Sequence, residues 1–252
     1  MTARAQDPPE WYRRWFGEEY LALYPHRDQE EAQDAVELVL GTLGSPAGRV
    51  LDLASGAGRH LFEFRARGLW AVGLDLSTPL LARARADGPE LLLVRGDMRS
   101  LPFADASFDL AVNFFTSFGY FADSDEDRRV LEELQRVLAP EAGGFALDFL
   151  NAERVRSTLV DRDERELNGK RVVQERHLEE AGKVVVKRIQ ILDPSDGRLV
   201  GTFQERVRLY SAGELEEMLV AAGLESERRF GDYAGSEFRE DSPRLILMGH
   251  SR

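Results

Sequence analysis

The run Val50-Leu51-Asp52-Leu53-Ala54-Ser55-Gly56-Ala57-Gly58 passes without a break from apolar residues to small ones. Residues 49–53 predict a short buried strand, and residues 59–67 predict a helix that ends at Gly68. Small residues between a strand and a helix allow a ligand to approach the backbone closely, where the first N–H groups of the helix have no partner. The run therefore predicts a ligand-binding turn inside a βαβ unit.

Strand and helix patterns alternate on both sides of this turn. Further strands are predicted at residues 70–74, 91–94, 108–112 and 144–150, with helices at residues 78–86 and 125–138. Two more helices are predicted before the turn, at residues 11–24 and 29–43. Such alternation is typical of an α/β protein with a mainly parallel sheet.

The pattern changes after Leu150. Residues 171–178, 183–192 and 199–210 alternate with period two between turn residues, which predicts an antiparallel meander. A helix at residues 214–222 and strands at residues 224–230 and 244–249 follow. We therefore expect three parts, namely an N-terminal helical lid (residues 1–48), a ligand-binding domain (residues 49–150 and 211–252) and a β insert (residues 151–210).

Composition excludes several classes of function. The chain has 252 residues and a formal net charge of −12, whereas broad nucleic-acid binding needs an excess of Lys and Arg. It has no cysteine, and its four histidines lack metal-binding spacing, so we expect no metal site. We also expect no membrane span and no signal peptide, and a location in the cytoplasm.

Two carboxylates indicate the kind of ligand. Asp75 follows Gly56 by 19 residues, close to the spacing at which dinucleotide-binding folds hold ribose hydroxyls. Asp52 lies inside the strand before the turn, where a negative charge repels a pyrophosphate and favours an ammonium group. His60 and Leu61 occupy the region of the third glycine of a nicotinamide-binding loop. These residues favour a nucleoside that carries an amino acid.

Four motifs then follow one another at residues 52–58 (DLASGAG), 73–77 (GLDLS), 96–103 (GDMRSLPF) and 108–112 (FDLAV). Together they resemble class I S-adenosylmethionine-dependent methyltransferases over about residues 49–150. The resemblance implies a Rossmann-like sheet, mostly parallel with its last strand antiparallel, and S-adenosylmethionine as the cofactor. The N-terminal helices and the β insert are more loosely similar to small-molecule N-methyltransferases.

The resemblance also implies which residues contact the methionine end of the cofactor. Ala54, Gly56 and Gly58 would lie against the methionine, with Asp52 near its ammonium group. Asn113 and Phe114 would border the sulfonium and its methyl group. Ala54 stands where the family most often has glycine, and its methyl group is expected to fit only with ordinary backbone dihedral angles.

At the nucleoside end, the same resemblance places Asp75 on the ribose and Leu76 on the adenine. Asp97 would accept a hydrogen bond from the adenine amine, and Met98 would donate its backbone N–H to the ring. All of these residues lie at the carboxyl ends of adjacent predicted strands, where open α/β sheets bind their ligands.

Aromatic residues form another group of candidates. Tyr12, Phe16, Tyr20 and Tyr24 recur every four residues, and we interpret them mainly as a packing face, with Tyr20 and the following Arg27 assigned to the cofactor site. Residues 114–121 hold too many aromatic side chains for an exposed turn. We expect them to line the site, where aromatic rings attract a sulfonium.

The sequence singles out no catalytic base, and methyl transfer from a sulfonium depends mainly on positioning. Candidates are His177 in the insert, and Tyr233 and Arg244 around the last loop. The predicted function is methyl transfer to nitrogen or oxygen of a small-molecule acceptor, with a possible homodimer through the β insert. The alternatives are methylation of RNA or protein, a nicotinamide-dependent oxidoreductase, and a binding protein without activity.

Overall fold

The computed structural model describes residues 10–24, 29–45 and 48–252. The helices are α1 (Trp11–Trp15), α2 (Glu18–Leu23), α3 (Gln29–Leu43), α4 (Arg59–Ala66), α5 (Thr78–Asp87), α6 (Ser124–Val137), α7 (Ala152–Thr158) and α8 (Ala212–Ala221). The strands are β1 (Arg49–Leu53), β2 (Trp70–Asp75), β3 (Leu92–Arg95), β4 (Leu110–Asn113), β5 (Gly144–Leu150), β6 (Arg162–Leu167), β7 (Lys170–Glu179), β8 (Val184–Leu192), β9 (Leu199–Arg208), β10 (Leu224–Phe230) and β11 (Arg244–Ser251). Within the described part of the chain, no helix is long and apolar enough to cross a membrane.

The larger sheet has the strand order β10-β11-β5-β4-β1-β2-β3. Strands β1 to β5 run parallel, and β11 runs antiparallel to both β5 and β10. The chain order reverses beside β1, which has β2 on one side and β4 on the other. A reversal of this kind leaves a crevice at the carboxyl ends of the strands. The predicted fold class, including the antiparallel last strand, is confirmed.

The central strands explain where polar side chains can serve a ligand. All of β4 and residues 50–53 of β1 are buried, as expected for strands covered on both faces. Helices α3 and α4 pack on one face of the sheet, and α6 and α8 pack on the other. The two polar residues of these strands, Asp52 and Asn113, therefore lie in an apolar core close to the strand ends.

The insert forms a four-stranded antiparallel sheet with the order β6-β7-β8-β9. The sequence predicted three of these strands and missed β6, because the residues of β6 (RDEREL) are almost all charged and show no apolar alternation. Register with β7 holds β6 as an edge strand. The sequence also missed α7, which Asn151 caps by accepting a hydrogen bond from the Glu153 backbone N–H.

The N-terminal region differs from the single helix predicted over residues 11–24. Helix α1 ends before Phe16, and α2 begins after Gly17, whose backbone is extended (φ −122°, ψ −154°). Glycine is a poor helix former, and here its freedom allows the chain to change direction. The break lets Trp15 pack against both Tyr20 and Phe203 of the insert, with ring centroids 5.5 and 5.0 Å apart.

Candidate active site

A cavity of about 740 Å³ lies at the carboxyl ends of β1, β2 and β4. The turn after β1 and the start of α5 form one side, and the aromatic loop after β4 forms another. Helices α1 and α2 and the inner face of the insert sheet complete the walls. The cavity therefore joins the region expected to hold a nucleoside to the surface of the insert.

Residues 54–57 of the turn after β1 line this cavity, whereas Asp52 and Gly58 do not, and the backbone of the turn enters the left-handed region three times. The φ angles are 56° at Ala54, 57° at Gly56 and 81° at Gly58. The expectation of ordinary dihedral angles at Ala54 is wrong, because its φ of 56° lies in the left-handed region that favours glycine. A side chain in that conformation costs roughly 1–2 kcal/mol, so the fold holds Ala54 in place against local strain.

Asp75 connects the turn to the next βα unit. It is 8% exposed, and its carboxylate accepts hydrogen bonds from the backbone N–H groups of Gly56 (2.8 Å) and Ser77 (2.7 Å). Burial raises the pKa of Asp75, and these backbone donors oppose the increase. Asp75 and Leu76 both face the cavity.

Asp97 and Met98 also face the cavity, just after β3. Arg99 binds both oxygens of Asp97, with Nη2 to Oδ2 at 2.7 Å and Nε to Oδ1 at 3.0 Å. Burial alone would raise the pKa of Asp97, but the hydrogen bonds from Arg99 hold it below its usual range. The Arg99 guanidinium lies 4.3 Å from the ring centroid of Phe121. The sequence analysis did not identify Arg99.

Asp52 has the most unusual environment of the predicted residues. It is 1% exposed, and its Oδ2 has no hydrogen-bond partner among the described residues. Burial raises the pKa of Asp52 to about 8. His60 lies next to it, with Nδ1 4.0 Å from Asp52 Oδ2, and its ring lies 4.4 Å from that of Phe114. Burial keeps the pKa of His60 well below its ordinary value, so the imidazole is neutral.

Three more buried polar atoms near Asp52 lack partners within the described chain. They are Ser55 Oγ, His60 Nε2 and Asn113 Oδ1. Asn113 is oriented by its Nδ2, which donates to the Leu53 carbonyl at 3.1 Å. Buried polar groups are rarely left unsatisfied unless a ligand or water completes them. The cluster fits a ligand with charged and hydrogen-bonding groups, as the amino-acid end of S-adenosylmethionine has.

Asp148 on β5 holds the aromatic loop after β4 (residues 114–121) in place. The Phe115 N–H donates to Asp148 Oδ2 at 2.6 Å, and Phe115 and Thr116 adopt left-handed φ angles of 60° and 61°. Phe114 and Phe115 face the cavity, whereas Phe118 is 1% exposed and belongs to the core. The loop thus supplies both a wall of the cavity and part of the packing beneath it.

Two of the three catalytic candidates are bound to this same carboxylate. Arg244 contacts both oxygens of Asp148 at 2.6 Å, and Tyr233 donates its hydroxyl to Asp148. Burial, followed by the nearby Asp148 charge, raises the pKa of Tyr233 well above its ordinary value. Tyr233 is therefore a hydrogen-bond donor and unsuited to act as a base. Arg244 reaches the cavity wall but is held by Asp148.

The third catalytic candidate, His177, does not face the cavity. It lies on β7 with a side chain that is 46% exposed, and it pairs with Glu179 on the same strand at 3.0 Å. The pleat of β7 directs His177 to solvent, so this geometry gives no support to a catalytic role, which stays a prediction. Arg27, predicted to bind the cofactor carboxylate, lies outside the described residues.

The insert contributes two charged residues that the sequence analysis missed. Glu205 and Lys187 are register partners on β9 and β8, form an ion pair and line the cavity. The Trp15 indole N–H donates to Glu205 Oε1 at 2.7 Å. Tyr20 and Tyr24 line the same wall. The sequence does contain a signal for Glu205. It lies two residues from both Phe203 and Val207 on β9, so it shares their inward-facing side of the strand.

Comparisons with known proteins agree with this geometry. A family model described as a methyltransferase domain matches residues 50–141. A dTDP-3-amino-3,4,6-trideoxy-alpha-D-glucopyranose N,N-dimethyltransferase from Streptomyces venezuelae is 27% identical over 207 residues, which cover 81% of this chain and 86% of that protein. A dTDP-3-amino-3,6-dideoxy-alpha-D-glucopyranose N,N-dimethyltransferase from Streptomyces fradiae is 28% identical over 208 residues, covering 81% and 80%.

Solved structures show the same relationship. DesVI from Streptomyces venezuelae superposes with a TM-score of 0.68 at 26% identity, covering 93% of this chain and 95% of that chain. The CcbJ methyltransferase from Streptomyces caelestis shares the fold with a TM-score of 0.77 at 20% identity, covering 88% and 95%. Four sequence motifs, a cavity at the strand ends and these matches lead to one assignment. The chain is a class I S-adenosylmethionine-dependent methyltransferase.

Proposed function

We propose that this methyltransferase transfers the methyl group of S-adenosylmethionine to the amino nitrogen of a small acceptor of the amino-sugar class. The observation that carries the proposal is the position of Glu205, a carboxylate on an aromatic wall of the cavity that also contains the strand ends. The two amino-sugar N,N-dimethyltransferases to which the chain is similar over most of its length support this acceptor class.

The strand ends supply the cofactor half of the site. Asp52 would pair with the ammonium group, and Ala54, Gly56 and Gly58 would lie against the methionine. The ribose would bind Asp75 and the adenine would contact Leu76, Asp97 and Met98. Asn113, Phe114 and Tyr20 would surround the sulfonium. When bound, the cofactor supplies an electrophilic methyl group whose sulfur is a good leaving group.

The insert wall supplies the acceptor half. Glu205 would receive a protonated amine, and the faces of Tyr20 and Tyr24 would add cation–π attraction of roughly 0.5–2 kcal/mol. The ion pair between Lys187 and Glu205 supports this role, because it already places a primary ammonium group on the carboxylate. With water excluded by the aromatic walls, the ammonium group would pass one proton to the Glu205 carboxylate, and the freed nitrogen lone pair would then meet the methyl donor with little reorganisation.

The test is a turnover assay with matched acceptors. The protein is incubated with S-adenosylmethionine and 3-amino-3-deoxyglucose, glucose, or the dTDP-linked form of each, and S-adenosylhomocysteine is quantified by mass spectrometry. We expect turnover with an amino sugar and none with its hydroxyl counterpart. Turnover of the hydroxyl sugars alone, or only of RNA or protein added in parallel, would contradict the proposal.

A variant sharpens this assay. Glu205→Gln keeps an acceptor for the Trp15 N–H but removes the charge, so KM for the amino sugar should rise about 10-fold or more, in line with the roughly 1.5–3 kcal/mol of a charge-assisted hydrogen bond. Binding of the cofactor should not change. Glu216→Gln is the matched control, because Glu216 pairs with Arg229 on the outer surface of α8.

Three further expectations belong to this proposal. The described helices α1 and α2 would act as the lid, and the insert would pair two subunits through its edge strand β9, where Leu199 and Val200 are 50% and 46% exposed. Light scattering of the native chain and of Leu199→Glu would test the homodimer, which predicts dissociation by the added charge. The expected location is the cytoplasm.

A further inference from the structure

The insert contributes a short charged surface to the cavity. The structure describes all of residues 151–210, and three of them line the cavity, namely Lys187, Glu205 and Val207. Lys187 on β8 and Glu205 on β9 are register partners, so their side chains lie side by side on the inward face of the sheet. Val207 adds an apolar edge. Any selection of an acceptor by the insert therefore depends mainly on the pair of Lys187 and Glu205.

The two oxygens of Glu205 have different partners. Oε1 accepts the Trp15 indole N–H at 2.7 Å, and Oε2 pairs with the Lys187 ammonium group. Trp15 is fully buried, so its hydrogen bond holds one end of the carboxylate in place. Lys187 ends in a flexible stem with three rotatable N–H donors, and its ammonium group can turn toward a neighbouring acceptor. The Oε2 side of Glu205 is therefore the side that a ligand can open.

Arg176 on β7 continues the same row, as the register partner of Lys187 on the other side of β8. Its guanidinium is bound to Asp163 and to Gln174 Oε1, and it does not line the cavity. Like charges repel, so Arg176 opposes a movement of the Lys187 ammonium group toward β7. Lys187 therefore stays on the cavity side, where it can reach both Glu205 and a bound ligand.

We propose that Lys187 is a specificity-determining residue that selects acceptors with a hydroxyl group on the carbon atom next to the amine. Its ammonium group turns from Glu205 Oε2 to the hydroxyl oxygen of the acceptor and donates a hydrogen bond there, without losing a proton. Oε2 then accepts a hydrogen bond from the ammonium group of the acceptor. The inference rests on the proposed function, because it requires the same amine acceptor and the same role of Glu205.

The neighbouring hydroxyl matters because Lys187 already occupies the carboxylate. An amine without that hydroxyl has to displace Lys187 and leaves its ammonium group without an acceptor in a partly buried site, which is unfavourable. An acceptor with the hydroxyl offers one group to each residue, so the exchange retains a charge-assisted hydrogen bond on both. Side chains that lie side by side on neighbouring strands suit two substituents on adjacent carbon atoms.

The experiment compares two amino sugars. 3-Amino-3-deoxyglucose has a hydroxyl group on each side of its amine, whereas 3-amino-2,3,4-trideoxyhexopyranose has neither, and both are used in the same free or dTDP-linked form. Formation of S-adenosylhomocysteine gives kcat/KM for each. Calorimetry with protein saturated with S-adenosylhomocysteine gives the Kd of each acceptor without the chemical step. We expect the wild-type protein to prefer 3-amino-3-deoxyglucose in both measurements.

Variants at Lys187 separate selection from support of Glu205. Lys187→Met keeps a side chain of similar length without the charge, so kcat/KM for 3-amino-3-deoxyglucose should fall roughly 10- to 150-fold, the range of a hydrogen bond to a charged group. The trideoxy sugar should retain or gain activity, because Lys187 no longer competes for Glu205. Lys187→Arg should restore part of the preference. Arg188→Met is the matched control, since Arg188 is the next residue of β8 and is exposed.

Urea unfolding of each variant establishes that it is folded. If Lys187→Met lowers kcat/KM for both amino sugars by the same factor, or if the wild-type protein does not distinguish them, the inference is wrong while the proposed function stands. Glycine is offered in parallel, and a wild-type preference for its carboxylate over the hydroxyl sugar would also overturn the inference. If the wild-type protein methylates none of these amines, the proposed function itself fails, and the inference fails with it.

Discussion

Asp52 on β1 and Asp148 on β5 are both buried, at 1% and 0% exposed, yet they differ in their partners. Asp148 accepts hydrogen bonds from Arg244, Tyr233 and the Phe115 N–H, whereas Asp52 Oδ2 accepts none from the described chain. A satisfied buried carboxylate serves the fold, because its partners compensate its desolvation. An unsatisfied one is destabilising until a ligand completes it. The comparison thus distinguishes a buried carboxylate that the fold satisfies from one whose role as a ligand-binding group is proposed.

The largest effect is expected at Asp148. Asp148→Ala leaves Arg244 as a buried charge without its partner, which costs about 3–5 kcal/mol of unfolding free energy. Urea unfolding measures this loss, with Asp105→Ala as the control, because Asp105 pairs with Arg136 but is 80% exposed. If Asp148→Ala loses less than about 1 kcal/mol, the fold does not depend on Asp148 in the way described above.

The opposite outcome is expected at Asp52. Its folded pKa, raised from 3.8 to about 8, means that stability is present at low pH and is lost as the pH rises toward 8. Asp52→Asn has no group that titrates at this position. Its unfolding free energy relative to wild type should therefore rise by about 2–3 kcal/mol between pH 5 and pH 7, which is about 1.4 kcal/mol per pH unit. Urea unfolding of the cofactor-free proteins at both pH values measures it. If the two proteins differ in unfolding free energy by the same amount at pH 5 and pH 7, Asp52 does not differ from Asp148 in the way described above.

Asp75 is intermediate between these two cases, since it has backbone partners and also faces the cavity. Asp75→Ala should weaken S-adenosylmethionine binding by about 1.5–3 kcal/mol, or roughly 10- to 150-fold, through loss of charge-assisted bonds to the ribose. Calorimetry measures the affinity, and Asp87→Ala on the outer side of α5 is the control. An unchanged Kd would show that Asp75 serves only to hold Gly56 and Ser77.

The smallest effect concerns the backbone beside Asp52. Ala54→Gly relieves the left-handed strain at φ 56° but makes the unfolded chain more flexible, so we expect a net change of at most about 1 kcal/mol in unfolding free energy. Urea unfolding measures it, with Ala57→Gly as a control in the same turn. A loss clearly larger than this would mean that the Ala54 methyl group is needed for packing.

The positions of the small-residue turn and of Asp75 at the strand ends were predictable because their signal is local. The small-residue turn, Asp52 and Asp75 lie within one βαβ unit, so their spacing along the chain fixes their spacing in the fold. His60 was named in the same stretch, but its contact with Asp52 depends on how the first turn of α4 packs on β1. A sequence pattern does not carry that information.

The contacts of Asp148 and the insert wall were not predictable for the same physical reason. Asp148 and Arg244 are 96 residues apart and meet only because β11 pairs with β5. Trp15 and Glu205 are 190 residues apart and meet only after the break between α1 and α2 redirects the chain. Contacts across such separations depend on strand register and helix packing, which single-sequence periodicity does not determine.

The four-stranded sheet comes from one continuous segment, β6 to β9, whereas the residues assigned to the cofactor come mainly from β1 to β4 and the turns that follow them. Under the proposed function, changes confined to this one continuous segment would alter the acceptor while leaving the residues assigned to the methyl donor unchanged. Exchange of residues 162–208 between members of this enzyme group is thus a natural route to new alkylation catalysts. Any such chimera must preserve the hydrogen bond between Trp15 of α1 and Glu205 of β9, or replace both residues together.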